Sequence, residues 1–185
     1  MLKNRKILVG VLSGIFLILA LAFLPPRMIP SREVPTLGLP PEGYIRGTVE
    51  GFRILPSGGV VFLGGDGSEK VLPIYIGMDQ AHTLARVLDN LTTERPMTHD
   101  LIEEVFEGSG IELVYISVDR LEEGTYYATI VLDDEGEIRI DARPSDSIIL
   151  ALKMGAPIYV NKDLIDEGGI APEHAGIYRE GLAQI

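Results

Sequence analysis

Two short segments of this chain share one unusual grammar. They are Arg95-Pro96-Met97-Thr98-His99-Asp100 and Asp141-Ala142-Arg143-Pro144-Ser145-Asp146. Each sets an Arg-Pro step, a hydroxyl and a carboxylate ahead of an apolar run with helical spacing. In the first the run is Leu101, Ile102, Val105 and Phe106; in the second it is Ile148, Ile149, Leu150 and Leu152. Proline drives the residue before it out of the α region and is itself welcome in a first helical turn. Thr98 and Ser145 therefore read as N-caps, and Asp100 and Asp146 sit where the helix dipole favours negative charge. The chain thus has two helix entrances, each with an arginine, a hydroxyl and an acid.

Brought together by the fold, these groups would suit phosphate and metal chemistry. Asp141 and Asp146 could act as hard-oxygen ligands for Mg²⁺ or Mn²⁺, with Arg143 clamping a phosphate oxygen and Ser145 adding a hydroxyl contact. The other entrance supplies a second clamp in Arg95, a hydroxyl in Thr98 and a third candidate metal ligand in Asp100. It also supplies His99, the side chain whose ordinary titration range suits a general base at neutral pH. A plainer reading stays open for each residue: capped helices, an arginine paired to an acid, and a first-turn histidine bonded to a neighbour. His82 and His174 read as surface residues. Gly64-Gly65-Asp66-Gly67 reads as a turn, because no lysine or helix start follows it, and G-x-S-x-G, H-E-x-x-H and Walker patterns are absent.

Charge narrows the partners. The sequence holds 16 Lys/Arg against 27 Asp/Glu, a net of −11. From Tyr44 onward 11 basic residues face 25 acidic ones, so that part carries −14. Such a surface offers no broad electrostatic footprint for a polyanion, and any phosphate contact must be local. No cysteine is present, which removes disulfides, thiolate catalysis and Cys-ligated zinc.

Ile7–Leu24 is an uncharged apolar run of 18 residues behind Lys3, Arg5 and Lys6. At ~1.5 Å per residue it would reach about 27 Å, near the thickness of a bilayer core. Residues 1–24 therefore read as a single-pass membrane anchor with the domain outside the cytoplasm. The alternative is a signal peptide cleaved after Ala20-Leu21-Ala22, which would release a secreted protein. Residues 25–43 form a Pro-rich linker, residues 44–167 the folded domain, and residues 168–185 a Gly-punctuated tail.

Within the domain, strands are expected at 44–54, 60–63 and 70–76, followed by a helix at 78–91. The first Arg-Pro entrance opens a second helix that closes near Gly108 and Gly110. A meander of 111–119, 125–132 and 137–141 comes next, then a helix at 145–154 stopped by Gly155, a strand at 157–160 and a last helical turn at 163–167. Hairpins interrupted by about three helices indicate an α+β fold with an antiparallel or mixed sheet. Val114, Ile116 and Val118 alternate with Leu113 and Tyr115, so the meander reads as apolar on both faces, and a homo-oligomer is expected to cover the second face.

Four motifs, taken together and in this order, resemble the bifunctional nuclease (BFN) domain family. They are Leu72-Pro73-Ile74-Tyr75-Ile76-Gly77, the segment Arg95–Leu101, the segment Asp141–Asp146, and Pro157-Ile158-Tyr159-Val160. The resemblance covers roughly residues 44–165. It implies an oligomeric α+β domain that cleaves both DNA and RNA, with nucleic acid as the substrate. The family pattern has Glu where this chain has Gln80 and Ala where it has Ser147. The combined expectation is a membrane-tethered, divalent-cation-dependent phosphodiesterase. His99, Asp100, Asp141 and Asp146 would be catalytic, and Arg95, Arg143, Thr98 and Ser145 would hold phosphate. The competing expectation is a non-catalytic, oligomeric ligand- or protein-binding module in which the same motifs hold the fold together.

Overall fold

The computed structural model describes residue 40 and residues 42–176. The apolar run at 7–24, almost all of the linker and the tail beyond residue 176 lie outside the described residues. Pro56-Ser57 makes the tight link between β1 (Tyr44–Leu55) and β2 (Gly58–Gly65), as a proline's fixed φ favours. β3 (Val71–Ile76) completes the first hairpin group, and α1 (Met78–Leu88) follows directly. Residues 89–97 lead into α2 (Thr98–Ser109), then β4 (Glu112–Glu122), β5 (Thr125–Asp133) and β6 (Glu137–Ala142) form the meander. α3 (Pro144–Met154), β7 (Ile158–Asn161), α4 (Lys162–Gly168) and the single turn α5 (Pro172–Ala175) close the described chain.

All seven strands join one mixed sheet in the order β3-β2-β1-β7-β4-β5-β6. The short β7 does the joining. It runs antiparallel to β1 and parallel to β4, stitching the first hairpin group to the meander. This makes the fold α+β, with five helices among the described residues. The core forms on one side of the sheet, where Val61, Leu63, Leu72, Ile74, Ile116, Val118, Ile158 and Val160 meet α1, α3 and the buried Ile165 of α4. Packing there is close. A Cβ at Gly59 would lie 2.6 Å from Cβ of Ala81, so only glycine lets α1 approach β2 this closely.

α3 is the central helix. Ile148, Ile149, Leu150 and Ala151 are consecutive and all buried, the signature of a helix enclosed on every side. Sheet strands β4 and β5 cover part of it, and α1 and α2 cover the rest. Its end is set by Gly155, whose φ of 66° is the left-handed conformation that glycine adopts freely. Gly155→Ala meets no steric obstacle in the surroundings, so only the backbone penalty remains. We expect a loss of about 1 kcal/mol in urea unfolding, with no change in the slope of the transition.

The meander departs from the sequence expectation at one point. The β4–β5 register shifts between Leu113 and Tyr115, and this bulge re-phases the strand. Leu113 thereby joins Ile116 and Val118 in the core, while Tyr115, Ser117 and Asp119 take the other face. That face carries a polar cluster beside Tyr115 and Val131, where the simple alternation gave it an apolar character. The Asp119 carboxylate accepts hydrogen bonds from Ser117 Oγ (2.6 Å), Thr129 Oγ1 (2.7 Å) and Tyr44 Oη (3.0 Å). Burial, with the adjoining Asp119 charge, pushes the Tyr44 hydroxyl up to about 12. The second face of the meander thus combines this polar cluster with buried Tyr115 and Val131. Among the described residues no helix is long and apolar enough to cross a membrane.

Candidate functional site

The two Arg-Pro entrances meet. α3 begins at Pro144, with extended Arg143 as its cap residue, so β6 delivers the chain into the helix with little lateral travel. This puts Asp146 in the first turn of α3, facing the first turn of α2. His99, the second residue of α2, lies there and is only 8% exposed, on a helix with no other buried residue. Its Nε2 stands 3.1 Å from Asp146 Oδ1. A carboxylate at neutral pH can only accept, so Nε2 carries the proton and Nδ1 is left as the basic nitrogen.

The other oxygen of Asp146 is engaged as well. Arg143 Nε donates to Oδ2 at 2.6 Å, a charge-assisted bond across one helical turn. The Arg143 side chain is 67% exposed, and its terminal nitrogens have no protein partner among the described residues. Asp146 is thus held from both sides, by an imidazole and by a guanidinium. Ser147, fully buried, donates its hydroxyl to the Arg143 carbonyl at 3.0 Å and braces the same turn.

Two clefts flank this arrangement. One, of about 400 Å³, is lined by Arg86, Asn90, Thr93, His99 and Lys153 among others. The second, of about 350 Å³, is lined by Tyr75, Gln80, Tyr126, Arg143 and Ser145. The Asp146 carboxylate links the His99 that opens on one cleft to the Arg143 that opens on the other.

The remaining sequence candidates are placed differently. Asp100 does not face Asp146. Its Oδ2 accepts from the Met97 backbone N–H at 2.6 Å, and its Oδ1 lies 2.7 Å from Lys153 Nζ. The hydrogen bond from Lys153 and that from Met97 hold the Asp100 carboxyl below the usual carboxylate range. Lys153 also reaches Glu103 Oε2 at 2.8 Å. Burial alone would lower the Lys153 ammonium, but its bonds to the two carboxylates outweigh burial and raise it. Thr98 and Ser145 are not the caps: Met97 and Arg143 occupy those positions, with Thr98 exposed in the first turn and Ser145 buried in it. Both cap residues are extended, and neither side chain makes the cap hydrogen bond that a hydroxyl would. Arg95 is exposed in the loop, its carbonyl accepting from Thr93 Oγ1, and among the described residues its guanidinium does not join Arg143 at Asp146.

Asp141 is also set apart. It pairs with Thr129, which pairs with Ser117, and this row lies on the sheet face opposite α3. Among the described residues no three His, Asp or Glu side chains gather as a metal-holding group. Asp100 and Asp146 are committed to cationic partners, and Asp141 is on the far face. Asp100, Asp141 and Asp146 are therefore not gathered in one place among the described residues.

Sequence reasoning missed Lys153 and Arg86. Lys153 carried a signal, because it follows Asp146 by seven residues and so shares its side of α3. Arg86 sits in the last turn of α1, and only the return of the 89–97 loop brings it to the cleft that His99 lines.

The bifunctional nuclease domain model matches residues 61–173, well over half of the chain, which therefore belongs to that family. Among curated relatives, an uncharacterized protein of Mycobacterium tuberculosis is 37% identical over 102 residues, covering 55% of this chain and 61% of that protein. Bifunctional nuclease 1 of Oryza sativa subsp. japonica is 28% identical over 109 residues, covering 57% of this chain and 33% of that protein. Bifunctional nuclease 1 of Arabidopsis thaliana is 28% identical over 115 residues, covering 60% and 35% respectively. The shared region is thus about three fifths of the mycobacterial protein and a third of the plant ones.

Proposed function

We propose that this chain hydrolyses phosphodiester bonds of DNA and RNA without sequence preference, using the His99–Asp146–Arg143 set. One observation carries the reading. A single carboxylate, Asp146, is shared between a buried imidazole and an exposed guanidinium that come from the two distant Arg-Pro segments. Family membership and the plant relatives' names point to the same reaction.

In this reading Arg143 holds a neighbouring phosphate of the strand with its free terminal nitrogens, in the cleft on the other side of Asp146 from the one that His99 lines. Arg86 supplies positive charge along the cleft that His99 lines, where Lys153 is balanced by Asp100 and Glu103. His99 Nδ1 takes a proton from the attacking water as the P–O bond to it forms. The departing ester oxygen, on the far side of phosphorus, takes its proton from water as the scissile bond breaks, and the imidazolium then returns its own proton to the hydroxide so formed. Asp146 fixes the tautomer and stabilises the imidazolium, the role of a carboxylate behind a catalytic histidine. No step is assigned to a metal, since the three candidate carboxylates are not gathered.

The test is cleavage of supercoiled plasmid and single-stranded RNA by the purified full-length chain, beside His99→Gln. The wild type should nick and degrade, and His99→Gln should lose both activities. A chelator arm separates two versions of the chemistry. Activity abolished by chelation would mean that a cation arrives with the substrate phosphates, as Mg²⁺ commonly does with one or two carboxylates. Activity that survives chelation would leave the histidine pair to work alone. A folded wild type that cleaves neither polymer would favour the non-catalytic module.

The membrane tether remains part of the proposal on the strength of residues 7–24. Full-length protein should stay with membranes through carbonate extraction. Mature protein beginning at Phe23 would replace the tether with secretion.

A further inference from the structure

We propose that the second cleft is a nucleotide subsite, in which Arg143 and Ser145 hold the phosphate and Tyr75 stacks the base. It deepens the function proposed above, because it would seat the nucleotide next to the scissile bond. Charge sets this cleft apart from the rest of the surface. From Tyr44 onward acids outnumber bases 25 to 11, and the cleft that His99 lines includes Asp100. The second cleft is lined by no carboxylate among the described residues, and Arg143 is its one charged side chain. At about 350 Å³ it has room for one nucleotide unit and little more.

The phosphate end is built from the entrance of α3. Pro144 has no N–H, and the N–H groups of Asp146 and Ser147 both go to the Arg143 carbonyl. The Ser145 N–H is left without a partner among the described residues. Ser145 is only 8% exposed, yet its hydroxyl makes no hydrogen bond within the described chain either, and it lies on the wall of this cleft. A buried hydroxyl left unpaired there calls for a ligand or a water. The two Ser145 donors and the terminal nitrogens of Arg143 suit an anion at the positive end of the helix. The nucleoside end lies across the cleft. Tyr75, near the end of β3, is 74% exposed, and its ring meets no other aromatic ring among the described residues. An exposed ring of this kind stacks any base. Gln80 folds back over Gly77, where a Cβ would lie 2.7 Å from Gln80 Oε1, so glycine keeps this wall open. The Gln80 amide and the Tyr126 hydroxyl have no partners among the described residues and can meet sugar hydroxyls or a base edge. Burial raises the Tyr126 phenol, which therefore stays a donor at neutral pH.

The test is isothermal titration of the full-length chain in mild detergent with AMP, adenosine and inorganic phosphate. AMP contains no phosphodiester bond, so its binding is read apart from cleavage. AMP is expected to bind with a dissociation constant of about 0.1–1 mM, and adenosine and phosphate each roughly tenfold more weakly. Ser145→Ala removes only a hydroxyl that is unpaired within the described chain, and it should weaken AMP roughly fivefold. Tyr75→Ala should weaken AMP by about fivefold or more, toward the affinity of phosphate alone. Gln80→Glu, which adds a carboxylate to the cleft at constant size, should weaken it roughly tenfold. Inorganic phosphate that binds as tightly as AMP would overturn the nucleotide subsite. So would AMP binding that is indifferent to both Ser145→Ala and Tyr75→Ala. A chain that nicks plasmid but binds no AMP up to about 10 mM would overturn this inference and leave the proposed function standing. AMP bound in the expected pattern by a chain that cleaves neither polymer would support the subsite and end the nuclease reading.

Discussion

Asp146→Asn is expected to lower phosphodiester cleavage by roughly 10²–10⁴-fold while leaving a cooperatively folded protein. The substitution keeps the shape of the side chain and removes its charge. His99 then loses the acceptor that fixes Nε2–H, and an asparagine amide can donate to Nε2 and select the opposite tautomer. Nδ1 would become the protonated nitrogen, and the base would be lost without any movement of the backbone. Arg143 loses an ionic partner but is largely exposed, so water replaces that bond at little cost. The measurement is single-turnover cleavage of a labelled oligonucleotide beside a thermal melt. An unchanged rate with an unchanged melt would reduce the His99–Asp146 contact to architecture. A collapsed melt would show that the pair serves the fold first, since breaking a buried charged pair costs on the order of 3–5 kcal/mol.

Lys153→Met is expected to destabilise the chain by about 2–3 kcal/mol, between the values for surface and fully buried ion pairs. The Lys153 side chain is largely buried and lies between Asp100 and Glu103, so its removal leaves two carboxylates facing each other one helical turn apart. α2 is otherwise mostly exposed, and this contact and the His99–Asp146 bond are the polar ties that hold it to α3. Loosening it should also displace His99 and lower cleavage. The pH dependence has a definite sign. Asp100 is held below its ordinary range in the folded chain, so its contribution is present above the unfolded value and disappears as pH falls through the folded one. In the variant that depression is largely removed. The stability gap between wild type and Lys153→Met should therefore be widest near neutrality and shrink below about pH 4. Urea titrations at several pH values would measure it, and a gap independent of pH would point to lost packing alone.

Local physics made much of this protein legible from its residues. Proline, glycine and alternation placed the hairpins, the helix entrances and the stop at Gly155, because each acts over a few neighbouring residues. The Arg-Pro segments were recognisable as helix starts for the same reason, and the Asp141–Asp146 segment carried both an arginine and the acid it grips. What lay beyond reach was any relation between distant parts. The insertion of β7 between β1 and β4 unites the two halves of the sheet through pairings that no local signal encodes. The bulge near Val114 cannot be seen in an alternating apolar strand, yet it turns Leu113 into the core beside Ile116 and Val118.

The site divides along the same line. Residue types predicted a histidine, two clamps and three carboxylates in one place. Tertiary packing kept only part of that set: it joined His99 to Asp146 and Arg143, left Arg95 in the loop, gave Asp100 to Lys153 and sent Asp141 to the opposite face of the sheet. Helix entrances are determined by the residues at each turn. Which side chains meet is decided by how α2 lies against α3, and that is an outcome of burying the whole core.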